Sequence, residues 1–172
     1  MLRYVQEYLP LMESFFVILG VVFIAVQIRQ QTKISRADHD RQKKQSTIEF
    51  YNSISSESQV LLDNIVGKSL DLSSVNSDKA LRKSVIRYLS RLERLAIGVA
   101  SDVYDFEVLA LMSGRYLSKK YIQFEKYIEE ARIAKEAPML YKEFELLVTK
   151  IDEYRENNPG KTVDGTIRVR RT

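Results

Sequence analysis

"FFVILGVVFIAV", residues 15–26, holds no charged or amide side chain and is bounded by Glu13 and Ser14 before it and by Gln27 after it. Its reading decides the fold, because such a run either crosses a bilayer or is sealed inside a helical domain. Spanning the hydrocarbon takes about 20 apolar residues. Leu9, Leu11, Met12 and Ile28 extend the run to residues 9–28, and the interruptions Pro10, Glu13, Ser14 and Gln27 all lie near an end. A helix on the surface of a soluble domain shows polar residues every third or fourth position, whereas residues 15–26 are apolar on every face. The sequence therefore predicts an amino-terminal transmembrane helix.

Charge order agrees with that expectation. Arg29, Lys33, Arg36, Arg41, Lys43 and Lys44 follow the run, while Arg3 and the amino terminus precede it together with Glu7 and Glu13. Excess Lys and Arg mark the cytoplasmic flank of a span, and Tyr4 and Tyr8 suit the opposite interface. This predicts a bacterial inner-membrane protein with its amino terminus outside and its carboxy-terminal domain in the cytoplasm. A secretory signal would carry its positive charge ahead of the apolar stretch.

The remainder is polar enough for water, with a mean hydropathy of -0.25 over the whole chain. Of 172 residues, those from 39 to 158 suffice for one compact core. The absence of cysteine excludes disulfides, thiolate metal sites and cysteine nucleophiles. The net charge of +4 is modest and concentrated beside the run and in a tail with Lys161, Arg168, Arg170 and Arg171. Attraction to anionic membrane lipid accounts for it, and no direct nucleic-acid site is expected. The expected organisation is a membrane anchor over residues 1–30, a basic juxtamembrane helix over 31–47, a helical bundle over 48–158 and a basic tail over 159–172.

Glycine and proline are scarce, and the bundle reads as an all-α, up-and-down arrangement. Residues 29–66 contain no breaker, with Ile48, Tyr51, Ser55, Ser58, Leu62 and Ile65 at helical spacing. Gly67 is a stop and residues 69–76 a polar loop. Ser77 and Asp78 cap a helix whose stripe is Leu81, Val85, Leu89, Leu92, Ala96 and Val99. Ser101 or Asp102 caps a third helix, which Gly114 bends or ends, and a fourth covers residues 115–135. After Pro138, Leu140, Phe144, Leu147 or Val148, Ile151 and Tyr154 form the last helix, closed by residues 157–160. "TIRVRR", residues 166–171, is read as disordered, with an edge strand as the alternative.

Two groups of residues are candidate sites. Glu13, Gly20 and Gln27 are spaced by sevens and share one face of the first helix, a polar and small stripe suited to an oligomer or pore. Arg87, Arg91 and Arg94 share a face opposite the apolar stripe of their helix. They either grip a phosphate or nucleotide bidentately or form salt bridges between helices, with Glu93, Asp102 and Asp105 close in sequence. His39 is the only histidine, and the side chains of Asp38, His39 and Asp40 diverge on a helix, so no metal site is expected. No phosphate loop or nucleophile motif occurs, so neither catalytic residue nor cofactor is assigned.

The block "LERLAIGVASDVYDFEVLALMSGRYLSKKYIQFEKYIEEAR", residues 92–132, with "LYKEFELLV", residues 140–148, resembles a family of small single-span bacterial proteins catalogued as a domain of unknown function. The layout is similar to that of the membrane accessory proteins of type VI-B CRISPR systems, which act beside an RNA-guided nuclease. That resemblance implies a helical, HEPN-like architecture and a ring-shaped pore formed by a homo-oligomer. The arginine-histidine motif of HEPN ribonucleases is absent, since Thr32, Lys33 and Ile34 stand at the positions before His39 that it requires. The expected function is an oligomeric inner-membrane effector or accessory in antiviral defence. The alternative is a membrane-tethered helical adaptor that positions a soluble protein partner.

Overall fold

Asp71, Asp78 and Asp105 each stand just before a helix, and each accepts hydrogen bonds from backbone N–H groups that the helix itself leaves unpaired. The computed structural model describes residues 2–65 and 70–159, of which residues 2–18, 57, 60 and 64 are described by their backbone alone. Among the described residues all regular structure is helical: α1 (Leu2–Glu57), α2 (Gln59–Asn64), α3 (Leu72–Ser77), α4 (Lys79–Ala100), α5 (Phe106–Ala134) and α6 (Lys142–Asn157). The chain divides into two compact units, Met1–Gln42 and Lys43–Thr172.

The first unit corrects the transmembrane expectation. Among the described residues no helix is long and apolar enough to cross a membrane. The part of α1 whose side chains are described is apolar from Leu19 to Ile28, apart from Gln27, and becomes strongly polar from Arg29 onward. At about 1.5 Å of rise per residue, such a segment falls well short of a hydrocarbon layer about 30 Å thick. The proposed extension back to residue 9 lies outside the described side chains.

In the second unit α6 packs closely against both α4 and α5. Val85, Tyr88, Leu89, Leu92, Leu95 and Ala96 line the buried side of α4; Val85, Leu89, Leu92 and Ala96 belong to the stripe read from the sequence, Tyr88 and Leu95 widen it, and Leu81 and Val99 at its ends are only half-buried. They meet Leu109, Leu117, Phe124 and Ile128 of α5 and Phe144, Leu147, Val148 and Ile151 of α6 in one hydrophobic cluster. Aromatic pairs stitch it together: Tyr88 with Phe124 at 5.7 Å, Tyr121 with Phe144 at 5.7 Å, and Phe106 with Tyr154 at 5.5 Å.

Four local expectations change. Residues 29–66 are not one helix, since α1 ends at Glu57 and α2 begins at Gln59. The inward register there is Ile54, Ser58, Leu61, Leu62 and Ile65, leaving Ile48 exposed. Within residues 69–76, read as a loop, α3 forms around a capping box of Asp71 and Ser74, pinned by buried Leu70 and Val75. Gly114 does not end a helix, because α5 runs through it. A Cβ there would lie 2.8 Å from Ile151 Cγ2 and 3.2 Å from Arg155 Cδ, so this glycine lets α6 approach. The cap of α5 is Asp105, whose carboxylate accepts from Val108 N at 2.9 Å. Asp102 instead takes a left-handed conformation at φ 61 and pairs with Lys43. Gly67 and the tail segment 166–171 lie outside the described residues.

Candidate functional site

Helical geometry distributes Leu19, Val21, Val22, Phe23, Ile24, Val26 and Ile28 round the whole circumference of α1 at 100° per residue, and all seven are exposed. Gly20 opens a gap in this girdle, with nothing within 4 Å of where a Cβ would stand. Gln27 lies on the same face one heptad later and is also exposed. Glu13 belongs to α1, but its side chain lies outside the described residues. Arg29, Lys33, Arg36 and Arg41 continue the helix, all exposed.

On α4 the spacings of four and three bring Arg87, Arg91 and Arg94 to one side, as read from the sequence. The structure adds Ser90 between them, and the four line an open depression of about 360 Å³. Arg91 is half-buried and donates from Nη1 to the Ser53 carbonyl of α1 at 3.3 Å, which fixes its direction. Arg87 and Arg94 are exposed, and among the described residues neither has an ion-pair partner. The three acids expected to neutralise them are engaged elsewhere. Glu93 accepts from the backbone N–H groups of Glu143 at 3.2 Å and Phe144 at 2.8 Å, Asp102 pairs with Lys43, and Asp105 caps α5.

The role of Glu93 was not legible in the sequence, because it follows from α6 lacking a cap of its own. Tyr141 occupies the cap position in a left-handed conformation at φ 56 and offers no side-chain bond. The Glu93 carboxylate reaches over from α4 and serves those donors, a charge-assisted arrangement favoured by the positive end of the helix. Glu130 of α5 does the same for α3, accepting from Leu72 N at 2.7 Å. Thr47, fully buried, accepts from Asp105 N at 2.8 Å and donates to the Lys43 carbonyl. A threonine amid polar residues gives no signal of this; only the arrival of the α4–α5 turn creates the role.

Other polar groups are less organised for chemistry. The Tyr88 hydroxyl is buried beside that of Tyr116 without a well-formed hydrogen bond among the described residues, and burial pushes its pKa far up, so it remains protonated. Lys120 lies 5.3 Å from the centre of the Tyr116 ring, and burial lowers its pKa. A second depression, of about 430 Å³, is lined by Arg115, Asp152, Arg155, Glu156 and Pro159, where acids balance the bases. Asp38, His39 and Asp40 are exposed, and among the described residues no three acidic, histidine or cysteine side chains group to hold a metal.

Residues 14–151, about four-fifths of the chain, match the family model described as a domain of unknown function (DUF4760). The match includes both the apolar girdle of α1 and the arginine face of α4. No curated protein and no solved structure matches the chain.

Proposed function

The chain belongs to the DUF4760 family, whose name carries no activity, and we propose that it is an oligomeric helical accessory protein with no reaction of its own, acting in antiviral defence at the bacterial inner membrane. The supporting observation is the girdle of α1, where seven large apolar side chains surround the helix and stand in the open. Exposed apolar surface of that extent marks an interaction site. A second copy of the same helix is the occupant that fits. Gly20 permits close approach, and parallel copies set Gln27 against Gln27, where each amide both donates and accepts and thereby fixes register.

Exposed Arg29, Lys33, Arg36 and Arg41 follow the girdle, and near an anionic leaflet each is worth about 1 kcal/mol. This supports contact with lipid at the cytoplasmic surface without a crossing. The defence role rests on the resemblance to the type VI-B CRISPR accessory proteins read from the sequence, and the partner in that reading is an RNA-guided nuclease. A tethered adaptor differs in using the girdle only for attachment while the bundle positions a soluble protein.

Sedimentation of the full chain tests the proposal. The native protein is expected to be multimeric, and Phe23→Ser with Ile24→Ser, or Gly20→Leu alone, to shift it toward monomer and to reduce phage protection in cells carrying the nuclease. Protection that survives exchange of the girdle for an unrelated lipid-binding segment favours the adaptor. A native chain that is monomeric at every concentration refutes the assembly.

A further inference from the structure

Independently of α1, the structure assigns a phosphate-binding role to the depression on α4: we propose that Arg87, Ser90, Arg91 and Arg94 bind a phosphate-bearing anion of two or more negative charges. Guanidinium groups repel one another, and bringing three to one side of a helix is unfavourable unless something negative lies between them. Nearby acids do not fill that role for Arg87 and Arg94, since Glu93 is committed to the amino-terminal end of α6, Asp102 to Lys43 and Asp105 to α5. Their forks are therefore available, and each matches two oxygens of a phosphate.

The third arginine has a different part. Arg91 is aimed by its bond to the Ser53 carbonyl, so its position is set before any ligand arrives. Ser90 lines the same side, and about 360 Å³ of open space accommodates a diphosphate or the phosphates of a nucleotide. A single carboxylate neutralises one guanidinium, whereas a phosphate monoester or diphosphate satisfies both free ones. The anion is either a soluble phosphate compound or the headgroup of an acidic phospholipid, and the chemistry of recognition is the same.

Calorimetry on the full-length protein with inorganic pyrophosphate and with ATP distinguishes the sources alongside flotation with phosphatidylcholine vesicles doped with phosphatidic acid, scored as the excess over undoped vesicles and with Arg29, Lys33, Arg36 and Arg41 replaced by Gln so that α1 adds no attraction to anionic lipid. Arg87→Gln with Arg94→Gln is expected to weaken binding about ten- to a hundredfold, as loss of charged hydrogen bonds predicts. The ligand-free melting temperature should hold or rise slightly, because both side chains are exposed and their replacement relieves the repulsion among the guanidiniums. Arg87→Lys with Arg94→Lys keeps the charge and removes the forks, and should recover only part of the affinity. Binding to vesicles but not to soluble phosphates, lost in the same variants, assigns the site to a lipid headgroup. Absence of binding in every arm, or undiminished binding by the glutamine pair or the lysine pair, overturns the proposal.

Discussion

Two buried hydroxyls show how a single atom acquires opposite value from its surroundings. Thr47 accepts from the Asp105 N–H, so Thr47→Val keeps the shape and strands a donor. A loss of about 1–3 kcal/mol in a urea titration is expected. Tyr88 buries a hydroxyl with no well-formed hydrogen bond among the described residues. Tyr88→Phe is accordingly expected to be neutral or to stabilise by about 1 kcal/mol; a clear loss would mean that the hydroxyl is satisfied after all. Glu145 adds a pH dependence. Its hydrogen bond from Lys142 and its pairing with Arg132 hold the carboxyl below its ordinary value of 4.5. A depressed folded pKa gives stability that is complete above the unfolded value and is lost as the pH falls through the folded one. The native chain should therefore exceed Glu145→Gln in melting temperature at pH 7, and the gap should close as the pH falls below the ordinary carboxyl value and through the depressed folded one.

Helices here are completed by one another. Tyr141 leaves the start of α6 without a cap, and Glu93 of α4 supplies the acceptor for two backbone donors. Glu93→Ala should cost about 1–2 kcal/mol, and hydrogen exchange at the Glu143 and Phe144 amides should quicken more than at the end of α6. Uniform quickening would mean that the residue acts on the fold as a whole. The same dependence explains what the sequence hid. α3 is too short to hold by propensity and persists through Leu70, Val75 and the Glu130 carboxylate. Gly114 reads as a break, since glycine inside a helix is unfavourable by about 1 kcal/mol relative to alanine. Contact with Ile151 and Arg155 of α6 converts that weakness into close packing.

At the scale of the molecule, the buried side chains among the described residues all belong to Thr47 and later positions, within the second unit. A fragment of residues 43–159 is therefore expected to unfold in one cooperative thermal transition and to be monomeric where the full chain assembles. A broad, non-cooperative melt would show that the core needs the earlier part of α1. The helical character of the bundle was legible, though not the fate of the first apolar run, because periodicity of apolar residues at three and four is a local property, as much of the α4 stripe shows. The caps at Asp78 and the end near Asn157 were legible for the same reason.

By itself the sequence determined an all-helical chain, much of the inward face of α4, and the gathering of Arg87, Arg91 and Arg94 on one side of it. Hydropathy measures how strongly a residue avoids water, not which apolar surroundings receive it. The run at residues 15–26 consequently read as a membrane crossing that the described helices do not provide. Tertiary structure alone decided that Glu93, Asp102 and Asp105 turn away from the arginines. It also decided that Thr47 holds the α4–α5 turn and that α5 passes through Gly114 unbroken. These roles depend on which groups meet across helices distant in sequence, and spacing along one helix carries no record of that.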